Sequence, residues 1–315
     1  ESPVPQDETG SGLTDEDNPR YTKTSLASDF ETIFVDANEG IVVGTLNRPH
    51  KLNAFNQQML KDLLHVLDYI DNNDDIRAVV ITASGKAFCA GADLSAGKDT
   101  FNSEFDNSSD YDQNFNRDSG GILALRMYKC LKPILIACNG VSVGVGATLQ
   151  LAADIRVASS LSKFSFPFTK RGIAPDACSS WFLPRLVGVS KSLEWCFSGE
   201  MIDADTALKS GLISYKVDPT DLMEKTLSIA RKIIKDSSPV SVALTRQMIW
   251  GLSQKDSPEY AHIVDSKVIE SRGKSKDAAE GVMSFLEKRD AVFENKVSTD
   301  MPGFFPFEKD EFEDQ

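Results

Sequence analysis

The sequence is short of positive charge, of histidine and of long apolar runs, and each shortage closes off a class of function. Thirty-four Lys and Arg stand against 47 Asp and Glu, a formal net charge of −13 over 315 residues. Nucleic-acid and anionic-membrane surfaces draw on basic patches, so neither is an expected partner, and an anionic ligand would need a local basic cluster. No apolar stretch approaches the roughly 18 to 20 residues that span a bilayer. The longest candidates, near Ile134–Cys138 and Val145–Ala153, are short and interrupted, and the expectation is a soluble chain.

Five Cys, at positions 89, 130, 138, 178 and 196, include no C-x-x-C pair. An odd count spread this widely suits reduced thiols in an intracellular compartment, with no disulfide and no zinc site. The chain opens on Glu1, not Met, so the expectation is a trimmed product whose address signal is missing. Its last residues, EFEDQ, do not resemble the peroxisomal S-K-L address, and mitochondrial matrix, peroxisome and cytoplasm all stay open.

Only three His occur, His50, His65 and His262, and none has a Cys or His partner at metal-ligand spacing. A Ser-His-Asp hydrolase is disfavoured, and the G-x-S-x-G elbow is absent. The run GVSVGVGA lacks the G-x-G-x-x-G spacing of a dinucleotide fingerprint, and no G-K-[ST] of a P-loop occurs. Carboxylates and backbone N–H groups remain as chemical tools.

What is present is a core-forming composition, 41% hydrophobic, long enough for one large domain or two ordinary ones. Residues 1–28 are rich in Asp, Glu, Ser, Thr and Pro and read as a flexible acidic tail. The runs ETIFVD (31–36) and IVVGTL (41–46) flank a turn cluster and read as a hairpin. Apolar spacing predicts a helix from Asn56 to Ile70, followed by a strand Ala78–Ala83. The alternation continues with a helix near Ile122–Leu131, strand Ile134–Cys138, helix Val145–Ala153 and strand Asp154–Ala158. It predicts a layered α/β core of repeated ββα-like units over 29–220. A helical region for capping or oligomerisation is expected over 221–290, then an extended tail over 291–315 docked by Phe304, Phe305 and Phe307. The polar stretch 95–120 reads either as disorder or as a lid over a site.

Two small-residue segments offer backbone N–H groups: SGKAFCAGADLS (84–95) and NGVSVGVGATLQ (139–150). Small residues let a ligand approach the main chain, and a helix start adds unpaired donors, so together they could form an oxyanion hole. Each taken alone also reads as a tight turn whose small residues serve packing.

The ordered series NRPHKLNAF (47–55), ITASGKAFCAGADL (81–94), KPILIACNGVSVGVGATLQLAADIRVAS (132–159), GIAPDACSSWFLPRLVG (172–188) and SGEMIDADTALKSGLISYKV (198–217) resembles the crotonase superfamily, the enoyl-CoA hydratases and isomerases. The similarity spans about residues 30 to 290. It implies a crotonase (ClpP/crotonase-like) spiral α/β core of ββα units with a C-terminal helical layer. It further implies an acyl-CoA thioester substrate, no separate cofactor because coenzyme A belongs to the substrate, and a homotrimer or dimer of trimers.

By the same resemblance, Ala92 and Val145 would give the two oxyanion N–H groups, and Ala90, Asp93 and Leu94 would line the nucleotide. A β-branched Val145 would bear on the fine geometry of such a turn. Arg48 and Lys51 are the nearest basic residues for the CoA phosphates, with solvated surface charge as their other reading. The positions that match the two hydratase Glu residues hold Thr148 and Phe168, neither of which can accept a proton. The segment SFPFTKRGIAPDACSSWFLPRL is similar to that of Δ3,Δ2-enoyl-CoA isomerases, which makes Asp176 the candidate base. Its other reading is a helix N-cap beside Pro175. With an apolar wall including Phe166 and Phe168, the expectation is an isomerase that shifts a 3-enoyl double bond to the 2-enoyl position. Hydration by the same fold and non-catalytic acyl-CoA binding stand as alternatives.

Overall fold

The hairpin opens the fold as expected: β1 (Ile33–Asn38) pairs antiparallel with β2 (Ile41–Leu46), and Gly40 takes a left-handed φ in the turn. The computed structural model describes residues 30–101, 117–253, 255 and 257–307. The acidic segment 1–28, most of the polar stretch 95–120 and the last residues of the tail lie outside these.

Helix α1 (Gln57–Asp71) starts at Asn56, whose side chain accepts the Met59 N–H, a cap worth about 1 kcal/mol. Its buried face, Met59, Leu63, Val66, Leu67 and Ile70, follows the helical repeat. The chain then alternates between two sheets. Strands β3 (Ala78–Ala83), β5 (Ile134–Cys138) and β7 (Ile155–Ser159) enter the large sheet, and each is followed within a few residues by β4 (Ala87–Cys89), β6 (Val141–Val143) or β8 (Lys163–Ser165) of the small one. Helix α2 (Ser119–Lys129) precedes β5, and the turn α3 (Val145–Thr148) continues as a 3-10 segment Leu149–Ala152 before β7. This repeated strand, strand, helix step is a spiral.

Downstream lie α4 (Ser179–Val187), α5 (Val189–Ser198), β9 (Ile202–Asp203), α6 (Ala204–Ser210) and β10 (Tyr215–Val217). The large sheet has six strands in the order β1-β2-β3-β5-β7-β10, parallel from β2 onward; the small one has four, β4-β6-β8-β9. Both faces of β3 and β5 are buried, which is why they read as apolar runs, broken only by Thr82. Val79, Ile81, Ile134 and Ile136 face the main core, and Ala78, Val80, Leu135 and Ala137 pack beneath α7 (Leu222–Ile234) through Leu222 and Ala230.

Helices α8 (Pro239–Leu252), α9 (Pro258–Gly273) and α10 (Lys276–Glu287) follow, then a short α11 (Val297–Asp300). The tail is therefore not wholly extended as expected: α11 forms because the Asp300 carboxylate accepts the Lys296 N–H and the Ser298 amide binds Asp74. Phe304, Phe305 and Phe307 pack against Val240, Leu244 and Val264, the docking anticipated from the sequence. Among the described residues no helix is long and apolar enough to cross a membrane.

Candidate active site

The first small-residue segment is held in place by the motif before it. Leu52 and Asn53 both take left-handed φ values, 52° and 54°, a region that Asn tolerates better than most residues. The buried Asn53 amide donates to the Ser84 and Ala87 carbonyls, and its oxygen accepts the Arg48 N–H. Beyond β4, Phe55 donates to the Gly91 carbonyl at 2.8 Å and accepts the Asp93 N–H at 2.8 Å. Because Phe55 bridges Ala92 in this parallel pairing, alternation along the chain turns the Ala92 N–H to the opposite edge, towards the cleft that Ala92 lines.

The second segment is fastened to the first. A Cβ at Gly146 would stand 2.1 Å from the Cys89 carbonyl oxygen, so only glycine lets the start of α3 lie against the end of β4. The unusual backbone of the turn falls on Gly144, with φ 54° and ψ −126°. Val145, by contrast, is not among the residues with positive φ, so its branched side chain places no strain on the turn. As the first helical residue it has an amide with no intrahelical acceptor, and it lines the same cleft as Ala92.

That cleft, about 90 Å³, is also lined by Leu94, Phe168, Ile173 and Asp176. Asp176 is not an N-cap. Helix α4 begins at Ser179, its cap residue Cys178 makes no side-chain cap bond, and the Asp176 carboxylate instead accepts the Thr148 hydroxyl at 2.7 Å. Ala177 and Cys178 both adopt left-handed φ, 51° and 56°, and this turn delays the helix and presents Asp176 to the cleft. Burial pushes the Asp176 carboxyl up to about 6; the Thr148 hydrogen bond opposes the shift, and the negative charge of Asp118 adds to it. A carboxylate so tuned is mostly ionised at neutral pH yet holds a proton more readily than an ordinary Asp.

The apolar wall is Phe168, 3% exposed, together with Ile173 and Leu94. Phe166 does not line the cleft. It is fully buried and stacks on Trp195 with ring centroids 6.1 Å apart. Arg171 lines the rim and was not anticipated.

Arg48 is committed within the protein: its guanidinium binds the Asp93 carboxylate at 2.8 Å and the Ala54 carbonyl. Hydrogen bonds from the Ser95 hydroxyl and from Arg48 hold the Asp93 carboxyl down to about 2. Lys51 is exposed, as is Leu94, while Ala90 lines the cleft. Cys89 sits beneath the site, but burial pushes its thiol up to about 11, which leaves it un-ionised and a poor nucleophile. No group of three or more His, Cys, Asp or Glu among the described residues could hold a metal ion. A larger cavity, about 840 Å³, lies between α7, α8 and α10, but Arg246 and Asp154 within it bind each other at 2.8 Å. Ala92, Val145 and the perturbed Asp176 carboxylate all belong to the smaller cleft.

The spiral ββα core is that of the crotonase fold class, and in it Ala92, Val145 and one tuned carboxylate line a single cleft. The model of the enoyl-CoA hydratase/isomerase family matches residues 36–296. The Enoyl-CoA hydratase ACTT3 of Alternaria alternata is 39% identical over 260 residues, 82% of this chain and 84% of that protein. The 1,2-epoxyphenylacetyl-CoA isomerase of Escherichia coli is 32% identical over 267 residues, covering 84% of this chain and 99% of its own. Among solved structures, an enoyl-CoA hydratase from Bacillus anthracis superposes with a TM-score of 0.75 at 31% identity, over 84% of this chain and 99% of that one. The chain belongs to the enoyl-CoA hydratase/isomerase family of the crotonase superfamily.

Proposed function

We propose that this family member binds a 3-enoyl-CoA thioester and moves its double bond to the 2-enoyl position. The observation that carries the reading is the cleft's acid–base inventory: Asp176 is the one carboxylate among its described lining residues, and Thr148 is spent as a donor to it. The N–H groups of Ala92 and Val145 hold the thioester oxygen. As the C2–H bond breaks, its proton passes to Asp176 and its electron pair delocalises over the carbonyl and the C3–C4 double bond as a dienolate. Such donors bind the oxygen more strongly as its charge grows, each worth about 10²- to 10³-fold in rate. The protonated Asp176 then returns the proton to C4, and the double bond stands between C2 and C3. No water enters the reaction, in keeping with the apolar face of Phe168.

On this reading Ala90, Asp93 and Leu94 form the nucleotide-side wall. Lys51 meets the phosphates, because Arg48 is already engaged by Asp93. The exposed apolar side chains of α10, Val282, Phe285 and Leu286, support a homotrimer in which such surface is covered.

Hydration of a 2-enoyl-CoA is the second reading, favoured by the names of several relatives. Product analysis with purified protein on both substrates separates the two. Isomerisation of 3-enoyl-CoA should outrun formation of 3-hydroxyacyl-CoA from 2-enoyl-CoA, and Asp176→Asn should lower it about 10²- to 10⁴-fold. Faster hydration, or an Asp176→Asn variant that keeps the full rate, refutes the proposal. Binding of CoA esters without turnover of either substrate would favour an acyl-CoA-binding role instead.

A further inference from the structure

Asp118 does more than start a helix. Its Oδ1 accepts the Gly120 N–H at 3.1 Å and its Oδ2 the Gly121 N–H at 2.7 Å, the bonds of an ordinary N-cap for α2. The same Oδ2 also accepts the Ala177 N–H at 2.7 Å, from a residue 59 positions further along the chain. Ala177 and Cys178 hold left-handed φ without being glycine, and such a conformation persists only where surrounding contacts over-determine it. Close packing from α2 and α3 adds to this: a Cβ on Gly120 would meet the Ala177 Cβ and the Val145 Cγ2, each at 3.0 Å. Glycine at 120 thus lets the start of α2 close against both the donor turn and the turn that carries Asp176.

We infer that Asp118 is a positioning residue for the reaction, a clamp that fixes the left-handed Ala177–Cys178 turn and so aims the Asp176 carboxylate at the substrate. The inference rests on the reading of Asp176 as the base. Asp118 also brings a negative charge to the neighbourhood, and that charge helps hold the Asp176 proton. The other titratable groups around Asp176 are the Cys89 thiol from the end of β4, the Cys178 thiol from its own turn and the Arg171 guanidinium on the rim. Burial raises both thiols, and among these groups the charge that bears on the Asp176 carboxyl is that of Asp118.

Two substitutions divide capping from clamping. Asp118→Ser keeps a good N-cap for α2 but is too short to reach Ala177 as well. Asp118→Asn keeps the reach and one acceptor oxygen but removes the charge. Asp118→Ser should melt within a few degrees of wild type yet lose about 10²-fold in kcat with KM little changed, the cost of a misplaced catalytic group. Asp118→Asn should recover most of that rate, with the acid limb of its kcat/KM profile moved to lower pH. A substrate-free readout comes from the intact protein: the Asp176 carboxyl titration followed by 13C NMR, and hydrogen exchange at the Ala177 amide. Ala177 should exchange faster in Asp118→Ser, and the Asp176 titration should move down in Asp118→Asn. If wild type converts neither enoyl-CoA, the functional reading fails while hydrogen exchange at Ala177 still judges the clamp. Unchanged Ala177 exchange in Asp118→Ser overturns it, whatever the Asp176 titration does in Asp118→Asn.

Discussion

Thr148 donates its hydroxyl proton to Asp176 Oδ1 across 2.7 Å, and the two side chains come from turns 28 residues apart in the chain. Thr148 is fully buried and Asp176 partly so, which makes the bond charge-assisted in a poorly solvated place. A hydroxyl in this position holds one carboxylate oxygen and leaves the other for chemistry.

The pH dependence follows from Asp176. Burial pushes its carboxyl up to about 6, and a base must be ionised to accept a proton, so on the proposed function kcat/KM for isomerisation should fall with unit slope below about pH 6. Thr148→Val removes a bond that stabilises the charged form, and its acid limb should move to higher pH. A pH–rate series on both proteins tests this; a Val variant whose limb moves down would contradict the assigned role of Thr148.

Stability should carry the opposite signature. The folded carboxyl is raised from 3.8 to about 6, so the folded state binds the proton more tightly than the unfolded chain. Wild-type stability is greatest below pH 4 from this group and is lost as pH rises through 6, by on the order of 2 kcal/mol. Asp176→Asn, permanently neutral, should therefore be more stable than wild type at pH 8, with the gain vanishing near pH 4. Urea unfolding at the two pH values measures the difference.

Gly146→Ala should be severe. Its Cβ would fall 2.1 Å from the Cys89 carbonyl oxygen, a backbone atom that cannot swing aside. We expect a loss of about 3 kcal/mol or more of stability. Even at temperatures where the variant folds, the separation of β4 and α3 should depress kcat through the displaced Val145 amide. Thermal melts and kinetics at low temperature distinguish the two effects.

Asn53→Ala removes three hydrogen bonds, taking the side-chain donor from the part-buried Ser84 carbonyl and the buried Ala87 carbonyl. The cost should be about 3 kcal/mol. Because Asn53 anchors the turn before Ala92, binding of an acyl-CoA should weaken alongside stability, which calorimetry on the folded variant reads directly.

Sequence legibility followed the physics of each element. Strands β3 and β5 show at the residue level because both faces are buried and their runs are apolar but for Thr82. Strands β4, β6, β8 and β9 are two or three residues long and owe their existence to partners far along the chain, so no local pattern marks them. The helix expected over Val145–Ala153 divides into an α turn and a 3-10 segment, with the change at Thr148–Leu149. At the site, the small-residue segments point to the main-chain donors, and Thr148 and Phe168 are visible as departures from a two-carboxylate pattern. The bond from Thr148 to Asp176 and the reach of Asp118 to Ala177 are long-range contacts between single side chains, and periodicity carries no trace of either.

The bridge between Phe55 and Ala92 bears on how such a protein changes its chemistry. On the proposed function, the grip on the thioester is composed of main-chain groups whose placement is set by pairing and close packing, whereas the choice of reaction hangs on the side chains at 148, 168 and 176. One half of the machine is thus insulated from substitution at those three positions, and the other is exchangeable. A lineage could trade which atom receives the proton, residue by residue, without ever letting go of the substrate.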